Sequence, residues 1–181
     1  LDLRDGYKPD RFNIHLARPR PFVDRWLRIG VPERIDRDGR EIVPLDEQMV
    51  REAVERFRSV GVKAVAVSFL WSMMNPSHEE RAAEILKEEL PDAYIVCSHA
   101  VLPEIREWER SAATVLSAYI LPRVVEYLRN LETRIAKEGL DRPLLIMQIN
   151  GGCARVPDIL RRSVNILASG PAAAPAAALH F

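Results

Sequence analysis

Between Glu104 and Arg110 the chain packs five charges into seven positions, Glu104-Ile105-Arg106-Glu107-Trp108-Glu109-Arg110. Two chemistries suit that pattern. Glu107 with Arg110, and Arg106 with Glu109, have the i,i+3 spacing by which opposite charges neutralise each other on a solvated helix face. At the mouth of a cleft, Arg106, Glu109 and Arg110 would instead supply the carboxylate and guanidinium groups that orient a substrate or a nucleotide-bound metal.

Asn150-Gly151-Gly152 and Ser169-Gly170-Pro171 are the other candidates. A glycine pair directly after an apolar strand lets backbone N–H groups approach a ligand, because no Cβ stands in the way. It equally reads as a tight β-to-α turn. Ser169 and Gly170 ahead of Ala172-Ala173-Ala174 place a hydroxyl and free N–H groups at a helix start, where an anion is stabilised. A capped helix packed closely on a sheet has the same spelling.

Other chemistry is thinly represented. His15, His78, His99 and His180 show no HxxxH or HExxH spacing, so no metal site is expected from this chain alone. His78 with Glu79 reads as a first-turn hydrogen-bond and dipole feature. Cys97 and Cys153 form no CxxC pair and are expected to be small buried apolar residues. GxxxxGK[ST], GxGxxG and GxSxG are absent, which removes the commonest nucleotide and hydrolase signatures.

The elements that would position these residues follow from periodicity. Residues 1–47 are polar and rich in Arg and Pro, and 25–29 and 40–43 read as a hairpin around Asp38-Gly39. Met49, Val50, Ala53, Val54, Phe57 and Val60 share one helical face, predicting a helix over 46–59 that starts at Asp46 and stops at Gly61. Residues 63–70 are apolar on both faces and β-branched, as in a central parallel strand. Asn75-Pro76-Ser77 opens a helix to about 90, and 94–98 is the next strand, giving βαβ spacing. A long helical pattern covers 104–137, with Pro122 expected to kink or divide it. Residues 144–149 read as a third buried strand, 156–162 as a short helix, 164–167 as a short strand, and 169–171 as a turn into an alanine-rich helix. The fold class is α/β.

Composition narrows the function classes. The chain has 181 residues, 48% hydrophobic and 29% charged, the profile of a folded globular protein. Lys+Arg and Asp+Glu both number 26, so there is no net charge to attract nucleic acid or an anionic membrane. No apolar run reaches membrane-spanning length. Two cysteines, no CxxC and no signal peptide make a reducing cytoplasm the expected compartment. The chain opens at Leu1 and stops at Phe181 within an alanine-rich segment, and is expected to belong to a longer polypeptide.

The string Arg106-Glu107-Trp108-Glu109-Arg110, then Thr114, Ala118-Tyr119, Met147 to Gly152, and Ser169-Gly170-Pro171-Ala172-Ala173, resembles the hydantoinase A/5-oxoprolinase family. Glu33-Arg34, Asp38-Gly39, Pro44-Leu45-Asp46, Asn75-Pro76 and His78-Glu79 match in order and spacing. The resemblance spans essentially the whole chain. A similar sequence would carry Asn at Ser117, Ser at Ile149 and Gly at Ala174, and the last two departures bear on substrate more than fold.

The resemblance implies an actin-like ATPase fold of two lobes, with residues 1–121 in the latter part of the first lobe and 122–181 as the crossover helix and start of the second. It implies ATP with Mg as cofactor, phosphate loops outside this chain, and a hydantoinase B-type partner subunit. The implied activity is ATP-dependent opening of hydantoins or 5-oxoproline, with a ketone carboxylase subunit as the alternative. In that frame Asn150, Gly151 and Gly152 form a cleft-facing loop, Ser169 and Gly170 meet anion or substrate, and Arg106, Glu109 and Arg110 are interlobe orienting charges. A non-catalytic α/β interaction module is the reading from outside the family.

Overall fold

The computed structural model describes Asn13, His15 and residues 21–140 and 142–178. His180, and residues 1–20 apart from Asn13 and His15, lie outside the described residues. Helix α1 (Glu47–Ser59) begins where Asp46 accepts a hydrogen bond from Met49 N at 3.0 Å, and it turns Val50, Ala53 and Val54 inward. Gly61, at φ +66°, takes the left-handed conformation that ends it. Strand β3 (Ala64–Val67), helix α2 (Ser77–Glu89) and strand β4 (Tyr94–Cys97) follow, and β3 and β4 pair in parallel from Ala64 opposite Tyr94 to Val67 opposite Cys97.

Alternation along these two strands divides the core between the faces of the sheet. Val65 and Val67 pack with Val50, Val54, Ala82, Ile85 and Leu86 of α1 and α2. On the opposite face Val96 packs with Ala118, Leu121 and Val125 of α4 (Glu107–Lys137), and Ala64 and Ala66 lie against the same cluster. Covering on both sides explains why neither strand alternates apolar with polar. Among the described residues β3 pairs only with β4, and a groove of about 1330 Å³ runs along it between Phe22, Leu27, Leu116 and Tyr119.

Helix α4 continues through Pro122 as one 31-residue element. Its Val124 and Leu128 meet Val156 and Ile159 of α5 (Val156–Arg161) in a third cluster, so successive stretches of one helix serve two cores. No described helix is long and apolar enough to cross a membrane.

Three local expectations are corrected. The hairpin pairs β1 (Arg34–Ile35) with β2 (Glu41–Val43), while Arg25–Leu27 forms a single 3-10 turn. Asp36 Oδ1 accepts from Asp38 N at 2.8 Å and Arg40 N at 2.9 Å, closing a short turn that leaves only adjacent residues within pairing reach. Strand β5 (Leu145–Met147) is not a buried member of the parallel sheet. It pairs antiparallel with β6 (Cys153–Arg155), satisfying its backbone locally, and Leu145 and Cys153 are exposed. Cys153 is therefore not a core residue. Ser163–Ile166 forms a 3-10 turn instead of a strand, held by Ser163 Oγ donating to Ser117 O at 3.0 Å and Val164 N donating to Ser117 Oγ at 3.1 Å. Helix α6 (Ser169–Ala178) closes the described chain, as the alanine run predicts.

Candidate functional site at the strand ends

In a parallel sheet the carboxyl ends of the strands deliver side chains to one edge, and here those ends carry Ser68 after β3 and Ser98 after β4. Two opposite charges are buried beside them. Glu79, in the first turn of α2, and Arg110, in the first turn of α4, are both at 0% exposure. Ser98, the first residue of the short helix α3 (Ser98–Val101), joins them: its Oγ donates to Glu79 Oε1 at 2.5 Å and accepts from Arg110 Nε at 3.1 Å. The Ser98 proton is committed to the carboxylate, so Ser72 Oγ, 3.2 Å away, donates to it.

Each charge reaches further. Glu79 also accepts from Phe69 N at 2.8 Å, His99 N at 3.0 Å and His99 Nδ1 at 2.8 Å. Burial pushes its carboxyl up, but the His99 side chain and backbone, Ser98 and Phe69 N outweigh that and hold it below the usual carboxylate range. Arg110 donates to Phe69 O at 2.8 Å and Glu104 O at 3.0 Å. One carboxylate and one guanidinium thus fix the segments after β3, after β4 and before α4.

The His99 ring is 21% exposed, and its Nδ1 is taken by Glu79. Glu79, Cys97 and His99 bring three ligand-type atoms within 4.8 Å, but the carboxylate already accepts four hydrogen bonds. Burial, and then the Glu79 charge, push the Cys97 thiol up to about 12, and it stays a protonated donor toward Glu79 O. This donor set suits a structural network better than a cation.

The backbone is strained beside the network. Trp71, at φ 57°, precedes Ser72, and Arg106, at φ 94° and ψ 114°, precedes α4. A third such residue, Ala168 at φ 56°, immediately precedes Ser169. Non-glycine residues persist in this region only where surrounding structure holds them, as ligand-facing turns commonly do.

The residues singled out from sequence fall in two places. Arg106 and Glu109 are exposed at the start of α4, whereas Arg110 points into the interior and bonds Ser98, Phe69 and Glu104 rather than sharing a solvated face with Glu107. Asn150, Gly151 and Gly152 form the tip of the β5–β6 hairpin, not a β-to-α turn. Their N–H groups are occupied there: Gly151 N donates to Gln148 O at 3.0 Å and Gly152 N to Asn150 Oδ1 at 2.9 Å. This loop offers an anion neither glycine N–H. Ser169 and Gly170 sit in the first turn of α6, which has no acidic residue there; Pro171 has no N–H and Ala172 N donates to Ala168 O at 3.3 Å, so the donors of this helix start are the N–H groups of Ser169 and Gly170. Ile149 N donating to Asn165 O at 2.7 Å ties the hairpin to the segment leading into α6.

Glu79, Ser98 and Ser72 escaped the sequence reading because their partnerships span 19 to 26 residues. Glu79 looked like an ordinary first-turn acid. Only its adjacency to His78 hinted at more.

Comparison with known proteins places the whole chain. The hydantoinase/oxoprolinase N-terminal region matches residues 1–90, and the hydantoinase/oxoprolinase domain matches residues 110–181. The chain is 39% identical over 181 residues to caprolactamase subunit alpha from Pseudomonas jessenii, which covers 99% of this chain and 26% of that protein. It is 36% identical to the acetophenone carboxylase gamma subunit of Aromatoleum aromaticum over 84% of this chain and 22% of that one. In structure it superposes on the ATP-dependent caprolactamase from Pseudomonas jessenii with a TM-score of 0.83, over 96% of this chain and 26% of that one. Nucleotide-free acetone carboxylase gives 0.77 at 26% identity, over 86% and 22%. The chain belongs to the hydantoinase/oxoprolinase family, and it spans about a quarter of the length of the relatives it matches.

Proposed function

We propose that these residues are a segment of an ATP-dependent amidohydrolase subunit that opens cyclic amides. The supporting observation is the end-to-end match to an ATP-dependent caprolactamase, 39% identical and superposing at a TM-score of 0.83. In this reading the segment lies in an actin-like fold of two lobes, residues 1–121 in the first and 122–181 leading into the second. A hydantoinase B-type subunit is the proposed partner, since the similar proteins are named as subunits.

An amide carbonyl is a weak electrophile with a poor leaving group, and ATP with Mg supplies the phosphoryl group that converts its oxygen into a good one. The α6 start offers a phosphate the N–H groups of Ser169 and Gly170, with no carboxylate in the first turn. Ser169 and Gly170 are therefore proposed as the anion contacts. Asn150, Gly151 and Gly152 act through shape, because their polar groups close the hairpin tip. Arg106 and Glu109 are the exposed charges that face substrate or nucleotide, and Arg110 is a positioning residue that sets the strand-end loops through Ser98 and Phe69.

A ketone carboxylase subunit is the second reading, favoured by the acetophenone carboxylase match. The deciding experiment measures ADP release by the full-length protein with its partner subunit. Lactam, hydantoin or 5-oxoproline should stimulate it. Stimulation only by a ketone with bicarbonate would replace this reading with the carboxylase, and stimulation by neither would remove both.

A further inference from the structure

We infer that His78 is the pin of a pH-released latch that holds the β1–β2 hairpin against the start of α2. Both ring nitrogens meet a carboxylate, Nδ1 at 2.9 Å from Glu33 Oε2 and Nε2 at 2.8 Å from Glu41 Oε2. A neutral imidazole has one N–H and one lone pair, so it could donate to one of these and would turn its lone pair on the other. Only the doubly protonated ring donates to both. The side chains of His78 and Glu33 are 6% and 5% exposed, and that of Glu41 is 54% exposed, so the pin is shielded from water except along Glu41.

On α2 the charges beside the ring are engaged elsewhere. Glu79 on the same helix turns away to Ser98 and His99, and Arg81 is engaged by Glu47 and Glu84. From the loop before α2 the facing group is neutral Asn75, which donates to Gly39 O at 2.9 Å. From the hairpin Glu33 and Glu41 meet the ring, Asp36 is turned into its own loop by Asp38 N and Arg40 N, Arg37 pairs with Asp38, and Arg34 and Arg40 are its remaining charges.

Burial pushes the ring toward neutrality, but the hydrogen bonds and charges of Glu33 and Glu41 outweigh it and raise its pKa above 6.5. The sign follows. The latch is closed below the ordinary imidazole range and loosens as pH rises through the raised value, when the ring loses a proton and one carboxylate loses its donor. Besides His78 the hairpin is held by Ile35, which is 1% exposed, and by Asn75 on Gly39 O, while its strands are only two and three residues long and Ile42 and Val43 are exposed. Its release also breaks the Asn75 Nδ2 bond to Gly39 O, a tie between the hairpin and the Trp71–Asn75 loop.

The test is hydrogen exchange in the full-length chain, followed from about pH 5.5 to about pH 9.5 and corrected for the intrinsic amide rate. Peptides covering 34–43 are compared with β3 as an internal control. Protection of 34–43 is expected to fall by up to about tenfold per pH unit from about pH 6.5 to the raised value and then to level off, while β3 is unchanged. In His78→Gln the hairpin is expected to be weakly protected at every pH, and in Glu41→Gln the fall moves to lower pH. Protection that does not vary with pH in the wild type overturns the latch. So does a fall that stays at the same pH in Glu41→Gln, the variant that carries the test if His78→Gln does not fold.

Discussion

Glu79 and Arg110 show how much of this fold rests on single side chains. Each is fully buried, and each has its hydrogen-bonding capacity taken by groups from other segments. Removing one partner leaves buried donors without an acceptor, which costs far more than the net worth of the bonds. Glu79→Ala is expected to lower stability by about 3 kcal/mol, read as a fall in the urea midpoint at unchanged slope. Ser98→Ala, which unbridges the two charges, is expected to cost about 2 kcal/mol. Equal midpoints for wild type and either variant would show that the network holds nothing. Arg106 tests the reverse case. At φ 94° it occupies backbone space that glycine enters freely, so Arg106→Gly is expected to stabilise by about 1 kcal/mol after the added unfolded-chain entropy is subtracted. If Arg106 faces substrate, the same change lowers substrate-stimulated ATP turnover while raising Tm.

At the scale of elements, α4 is the beam on which both cores are built, and Ser117 fastens the second of them. It is fully buried, and its hydroxyl and carbonyl are the partners of Val164 N and Ser163 Oγ. Ser117→Ala is expected to cost about 1–2 kcal/mol and to raise exchange at 163–166 ahead of the sheet. Uniform loss of protection across the chain would contradict that local role. Helices α1, α2 and α4 were legible because each has a face of three- and four-residue period, and in α1 Asp46 marks the start and Gly61 the stop, whereas the four-residue α3 is too short to show a period and was not. Strands β3 and β4 were legible for a different reason, since apolar residues on both faces can only be covered on both sides. The β5–β6 hairpin was not, because Leu145-Ile146-Met147 spells a buried strand equally well. What decided between them was the local return at 148–152, a contact choice that periodicity does not encode. The candidate site was half legible for the same reason: Ser169, Gly170 and the charged run stand in local motifs, whereas Glu79, Ser72 and Ser98 are joined only by the packing of β4 beside β3.

For the molecule as a whole, two titrations of opposite sign bracket the folded state. Glu79 is held below its ordinary value of 4.5, so its contribution is complete above that pH and is lost as pH falls through the depressed value. Asp36 and Glu47 are lowered too, by Arg40 N and the Arg81 guanidinium respectively, and add to the same limb from exposed positions where solvent screens them. His78 works the other way. Its folded value is raised above 6.5, so its contribution is complete below that pH and disappears as pH climbs through the raised value. Tm plotted against pH is therefore expected to pass through a maximum between about pH 4.5 and about pH 6.5 and to fall on both sides. The limbs separate by mutation. His78→Gln should flatten the alkaline side and lower the plateau, leaving the acid side in place, while Glu79→Gln should flatten the acid side and lower the plateau, leaving the alkaline side in place. A curve whose alkaline limb survives His78→Gln would assign that limb to another group and leave the hairpin's attachment indifferent to pH.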